Sequence, residues 1–215
     1  MKRSEINLQI KKFISFAEKQ GFNFPKFQTK SSSVLKELKA RKLGFDITDF
    51  GSGEFEKTGL SLFTLRNGNP NEDHTIPYCE KVMFLYPNQK TPCHFHKAKT
   101  EDIFVRGGSD LIVKLWPSNS YNKEFGQKMN ILFNGSKYRE IVSGEEIRLR
   151  PGETVTLTPA EAHEFFSDPN GKGTLIGEVS TFNNDDNDNY FLDKIFRFPE
   201  IEEDGKKEYM LISDY

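Results

Sequence analysis

Cysteine is almost absent from this chain. Only Cys79 and Cys93 occur in 215 residues, which excludes a disulfide framework and reads as two reduced thiols in a cytosolic protein. Long apolar runs are missing too: no segment reaches the roughly 20 apolar residues that cross a bilayer as a helix. The first residues, MKRSEINLQIKKF, carry charge without the apolar core of an export signal. Neither sign of charge dominates, because 30 Lys and Arg are interspersed with 32 Asp and Glu for a net charge of -2. Such a chain has no field to gather nucleic acid or an anionic membrane, and a small neutral molecule is the expected partner.

What is present points to one core. At 215 residues, a single domain spanning 1–215 is expected, with a helical segment over about 1–43 and a carboxy-terminal tail packing on a barrel. Ile6, Ile10, Phe13, Ile14 and Ala17 follow the helical period; Ser4 is the expected cap, and Gly21 and Pro25 end the run. A second, weaker helical stretch is expected from about Ser33 to Lys42, stopping at Gly44. From Gly59 onward short strands alternate with turns: LSLFTLRN, EKVMFLY, PCHFH, DIFVRGG, DLIVKLW, EEIRLR, ETVTLT and TLIGEVSTF, punctuated by Asn67-Gly68, Gly107-Gly108, Asn134-Gly135 and Pro151-Gly152. Many short strands at regular spacing predict a mainly β sandwich or barrel.

Histidine is also scarce, with four in the chain, yet three sit where a metal would want them. His94 and His96 form an H-x-H pair whose imidazoles share one face of a strand; Glu101 follows shortly and His163 comes well downstream. Cys93 adjoins the pair, but alternation turns its thiol to the other face, so it is not expected to ligate. His74, in NEDHTIP, reads as a surface residue. Imidazole and carboxylate donors without thiolate suit Mn(II), Fe(II), Co(II) or Zn(II), and ligand type does not choose among them.

The segment H94-x-H96-x4-E101-x6-G108 resembles the first motif of the cupins, and RPGETVTLTPAEAHEFF resembles the second in part: the glycine usual between proline and histidine is missing, and Pro159 lies one residue nearer His163. The implied fold is a cupin-type double-stranded β-helix, a jelly-roll barrel, with an N-terminal helical extension. Over nearly its whole length the chain also resembles the D-lyxose isomerases, metal-dependent cupin sugar isomerases. The likeness is carried by MKRSEIN, GFDITDFGSGEFEKTGLSLFTLRNG, YCEKVMF, TPCHFHKAKTEDIFVRGG, IGEVSTFNNDDNDNYF and RFPEIEED in the same order.

The resemblance implies that His94, His96, Glu101 and His163 hold a metal, with manganese first and Co(II), Zn(II) or Fe(II) as alternatives. It implies a cytoplasmic homodimer that converts a free monosaccharide from aldose to ketose, D-lyxose to D-xylulose, with D-mannose to D-fructose as a second reaction, through a cis-enediol. Lys99, two residues before the ligand carboxylate, would steady oxygen charge or move a proton. Glu178, a charge among apolar neighbours in IGEVS, is the expected base; Asp188 and Asp193 are its rivals, and Asp188 and Arg106 could bind sugar hydroxyls. Departures from the family pattern at Lys97, Phe104, Val105 and Tyr190 are expected to line the pocket or its rim. The alternatives are an iron-dependent cupin dioxygenase and a non-catalytic sugar-binding cupin.

Overall fold

The computed structural model describes residues 1–27, 31–69, 72, 75–117, 123–197 and 200–215, with the side chains of residues 185 and 186 excepted; His74 lies outside the described residues. The chain opens with α1 (Arg3–Lys19). Its apolar residues Ile6, Ile10, Phe13 and Ala17 fall on one face and are each at most 1% exposed. Lys2, rather than Ser4, stands at the N-cap. Ser4 lies inside the first turn because Asp204 claims it, accepting from both its backbone N–H and its hydroxyl at 2.8 and 2.6 Å. At the other end Gly21 takes a left-handed φ of 79°, and the bonds Phe22 N–H to Ala17 O and Gly21 N–H to Glu18 O close the turn, as a Schellman motif requires.

A second helix, α2 (Ser32–Ala40), is followed by β1 (Gly44–Thr48), β2 (Leu60–Arg66), β3 (Tyr78–Leu85), β4 (His94–His96), β5 (Glu101–Gly108), β6 (Leu111–Pro117), β7 (Lys128–Phe133), β8 (Lys137–Val142), β9 (Ile147–Leu149), β10 (Thr154–Leu157), β11 (Glu161–Ser167) and β12 (Thr174–Thr181). A short α3 (Asp185–Asp188) leads into β13 (Asn189–Phe191), and the tail ends in a 3₁₀ turn, Ile212–Asp214. All named strand pairs are antiparallel. They form one sheet of order β1-β2-β3-β12-β5-β10-β7-β8 and a second of order β13-β4-β11-β6-β9. This is the mainly β, cupin-type sandwich with an N-terminal helix.

Between the sheets lies a core that includes Leu62, Met83, Ile103, Val105 and Ile176 from the large sheet and Leu111, Val113, Leu115 and Phe165 from the small one. Alternation explains the sorting: in β5 the residues Glu101, Ile103, Val105 and Gly107 are buried, while Asp102, Phe104 and Arg106 are only partly so. Gly108 is held at φ 87° where a Cβ would meet the Gly173 carbonyl at 2.5 Å. It therefore ends β5 as a close-approach residue and not as an open turn.

A second cluster joins α1 to the back of the large sheet, with Ile6, Ile10, Phe13 and Ala17 against Phe45, Phe63, Val82, Phe84, Leu175 and Leu211. Strands β7 and β8 are legible only through their turn, where Asn134 and Gly135 have φ of 51° and 66°, the pair of positive values that a type I′ hairpin needs. KYREIV is exposed at five of six positions, so it lacks the alternation that marks a strand in sequence. GFDIT, now β1, is a strand edge that the helix stop at Gly44 concealed.

The tail is clamped to the start of α1. Arg3, 1% exposed, donates from Nε and Nη2 to Glu203 at 2.9 and 2.7 Å and from Nη1 and Nη2 to Asp214 at 3.0 and 2.9 Å. Hydrogen bonds from Arg3 hold Glu203 below its ordinary pKa. Burial pushes Asp214 up, but bonds from Lys207, Leu211 N–H and Arg3 outweigh it and bring the carboxyl below its usual range. Depressed carboxylate values stabilise the fold above their unfolded pKa, and this contribution disappears as pH falls through the folded values. Arg3→Met should therefore lower stability at pH 7 by about 2 kcal/mol, less than the ~3–5 for breaking a fully buried pair because Glu203 is half open to water. The gap between variant and wild type in denaturant melts should shrink below pH 4; a gap independent of pH would contradict the assignment.

Candidate metal centre and active-site cavity

The two sheets contribute different chemistry to one cavity. From the small sheet, antiparallel pairing of β4 with β11 sets His94 directly opposite His163, and alternation brings His96 to the same side. One nitrogen from each of His94, His96 and His163 falls within 4.8 Å of the others, so these three could hold a metal ion. From the large sheet, β5 supplies Glu101 and β12 supplies Glu178, whose register partner on β3 is Lys81.

Each imidazole is oriented from behind. Nδ1 lies 2.9 Å from the Pro92 carbonyl in His94, 3.1 Å from that of Asp188 in His96, and 3.1 Å from that of Glu161 in His163. A carbonyl only accepts, so each Nδ1 carries a proton, and in the neutral imidazole that ligates a metal Nε2 keeps its lone pair. The Nε2 atoms of His96 and His163 are buried without any hydrogen bond, although they stand 3.4 and 3.1 Å from Glu101 Oε1. Lone pairs that converge with a carboxylate oxygen and share no proton make a donor set for a cation, and the residues fit a divalent metal.

Charge continues behind the donors. Lys99 Nζ sits 2.6 Å from Glu101 Oε2 and donates to Glu178 Oε1 at 3.0 Å; Lys81 Nζ is 3.2 Å from the same Glu178 oxygen and donates to Asn183 Oδ1 at 2.8 Å. Lys99, Glu101 and Glu178 are 3–6% exposed. Burial holds His94 well below the ordinary imidazole value, with His163 and His96 pushing the same way, which keeps it in the neutral form that ligates. Burial pushes Glu101 up, but the Lys99 ammonium 2.6 Å from Oε2 outweighs it and holds the carboxyl well below the usual carboxylate range.

The cavity has about 50 Å³ of free interior, within about 490 Å³ of non-atom space that runs out into solvent, and Leu60, Leu62, Met83, Phe165, Phe50 and Phe191 form its apolar wall. Phe50 has a left-handed φ of 53°, a strained setting for an aromatic residue. Its N–H donates to Thr48 Oγ1 at 2.9 Å and its carbonyl accepts from Phe196 N–H at 3.0 Å, and together they fix the ring in the wall. Arg197 also lines the cavity and pairs with Asp46 at 2.8 Å.

Several expected site residues lie elsewhere. Arg106 is on the outer face of β5, bound to Glu80 at 2.8 Å between the rings of Phe22 and Phe104, because it has the opposite parity to Glu101. Asp193 is exposed and outside the cavity lining. The carboxylate of Asp188 turns to backbone amides of residues 97–99, while its neighbour Asn189 lines the cavity. Lys97 and Tyr190 pair with each other, the ammonium 4.2 Å from the ring centre; Phe104 faces outward and Val105 inward to the core, so none of these four positions lines the cavity. Lys81, Asn189 and Arg197 are functional candidates that sequence reasoning missed. Lys81 stands at the head of the apolar run VMFL, beside Glu80, where a charge gives no clear signal in sequence.

The D-lyxose isomerase family model matches residues 1–215. The chain is 38% identical over 224 residues to the D-lyxose/D-mannose isomerase of Serratia proteamaculans and 36% identical to that of Escherichia coli O157:H7, each match covering 100% of this chain and 98% of the relative. Among solved structures, the L-ribose isomerase of Geodermatophilus obscurus superposes with a TM-score of 0.62 at 17% identity over 94% of this chain and 98% of that one. The Acinetobacter sp. DL28 L-ribose isomerase in complex with L-ribose gives 0.60 at 17%, covering 90% and 93%. At such identity these two show the fold alone. Fold and comparisons together define an enzyme of the sugar-isomerase class on a cupin-type frame. Within that class, the chain belongs to the D-lyxose isomerase family.

Burial pushes the Cys93 thiol up to about 12, and Cys79 is buried as well. Neither should react with a thiol reagent at pH 8 in the native state, and both should react after unfolding. Cys93→Ala should leave metal affinity unchanged; a drop of tenfold or more would bring the thiol into the site.

Proposed function

We propose that residues 1–215 act as a single-domain, metal-dependent aldose–ketose isomerase that converts D-lyxose to D-xylulose, and D-mannose to D-fructose as a second reaction. The observation that carries this reading is the convergence of the buried, unbonded Nε2 atoms of His96 and His163 on Glu101, one lysine away from Glu178. His94, His96, Glu101 and His163 would hold a divalent metal, manganese first and Co(II), Zn(II) or Fe(II) on the same donors. Such an ion supplies Lewis acidity that polarises a carbonyl and stabilises developing oxyanion charge, worth several kcal/mol.

The chain's own residues do the rest. Glu178 takes the proton from C2 of the open-chain sugar and returns it to C1 of the cis-enediol, while the O2 hydroxyl proton passes to O1. Lys99 and Lys81 both engage its Oε1, which leaves Oε2 outside these contacts and turns one oxygen toward the work. Lys99 also donates toward the sugar oxygens as charge develops. Phe50 and Phe191 give the cavity an apolar wall, and Arg197 and Asn189, which line it too, would bind sugar hydroxyls.

A cytoplasmic homodimer is part of this proposal. Tyr138 and Val142 on the edge strand β8 are 71% and 45% exposed, an apolar edge that a second copy would cover. Among the described residues no helix is long and apolar enough to cross a membrane.

Metal-stripped protein should leave D-lyxose unchanged and regain D-xylulose formation on adding Mn(II). Folded, metal-loaded protein that converts neither lyxose nor mannose would overturn the reading. Glu178→Gln should retain Mn(II) binding and lose about 10²–10⁴-fold in kcat, whereas Glu101→Gln should weaken Mn(II) binding measured by calorimetry; unchanged affinity would remove Glu101 from the donor set.

A further inference from the structure

We infer that Asp188 is a positioning residue that sets the metal-donor loop from outside the cavity. The inference rests on the reading of His96 and Glu101 as metal ligands. Residues 97–100 link β4 to β5, so this turn has a donor at each end, His96 and Glu101, and carries Lys99 within it. Three successive backbone N–H groups of the turn converge on the carboxylate of Asp188: Lys97 and Ala98 donate to Oδ1 at 2.9 Å each, and Lys99 donates to Oδ2 at 3.0 Å. Such a run of amides is a concave anion site, and the carboxylate fills it from within the chain.

The same residue acts a second time through its main chain. The Asp188 carbonyl accepts from His96 Nδ1 at 3.1 Å, which fixes the tautomer with the lone pair inward. The next residue begins β13, where Asn189 pairs with His96 and Phe191 with His94; Asn189 and Phe191 both line the cavity. Asp188 is thus the joint between the strap 189–191 and the donor loop. The two functions separate chemically. Side-chain substitution leaves the carbonyl in place, so it loosens the turn and Lys99 before it disturbs the tautomer of His96.

Asp188→Asn is the informative variant. One amide oxygen can keep the Lys97 and Ala98 bonds, while the amide NH2 faces the Lys99 N–H and cannot accept from it. The expected result is a fall in kcat for D-lyxose of about tenfold or more, with KM and calorimetric Mn(II) affinity within about threefold of wild type. Asp188→Ala frees all three amides and should also weaken Mn(II) binding, by roughly 10–100-fold as for other outer partners of metal ligands. A general loss of stability would lower the active fraction, and with it apparent kcat at unchanged KM, but it would lower the calorimetric Mn(II) stoichiometry in proportion; the expected fall of about tenfold is in kcat per Mn(II)-binding site, with wild-type stoichiometry. If Asp188→Ala does not fold, Asp188→Asn carries the test alone. Wild-type kcat in a folded Asp188→Asn protein overturns the inference while wild-type turnover upholds the isomerase reading. A wild type that binds no Mn(II) sinks the metal reading and this inference with it.

Discussion

Lys99 lies between two carboxylates in the interior of the barrel, and most of the site follows from having to satisfy that charge. Removing an ion from water costs several kcal/mol unless partners close around it. Here Glu101, Lys99, Glu178 and Lys81 alternate in sign through contacts of 2.6, 3.0 and 3.2 Å. The four balance to zero formal charge, so the row is tolerable in a dry interior before any ion binds. A divalent cation added at the histidine end gives the cavity a positive surplus, which is where negative charge would develop on a sugar losing its C2 proton.

The double-sheet architecture makes this arrangement possible. Histidines come from the small sheet and Glu101, Glu178 and Lys81 from the large one, so the distance between donors is set by sheet packing and strand register, while Lys99 sits on the turn that joins β4 to β5. Glu178 faces Lys81 across β12 and β3 because those strands pair at that register, and a one-residue slip of β12 would turn Glu178 out of the cavity. The back of the large sheet is held by α1 and by the tail that Arg3 clamps. Sites built on rigid strands with oriented outer partners keep their geometry better than sites on free loops, and here the carbonyls of Pro92, Glu161 and Asp188 serve as those partners.

The sequence made the β-rich class, the first helix and the H-x-H strand legible because each rests on strict periodicity or spacing. It hid β8, which is exposed at five of six positions, and β13, which has three half-buried residues, so that neither carries an alternating burial pattern. Arg106 shows a different failure: alternation from Glu101 already assigns it to the outer face, yet its proximity to the motif suggested a sugar contact. Asp193 and Asp188 were read from a stretch of acids in which composition marks function but not direction. Lys81 and Arg197 reach the cavity from strands and segments far away in the chain, and only the sheet register and the tail path bring them there.

His94, His96, His163 and Glu101 form the donor set on which the isomerase reading depends, and locating the ion tests it most directly. Anomalous diffraction from crystals of the full chain loaded with Mn(II) should give one strong peak in the cavity, within bonding distance of the three Nε2 atoms and of Glu101 Oε1. A peak elsewhere, or one at the histidines with Glu101 still turned wholly to Lys99, would contradict it.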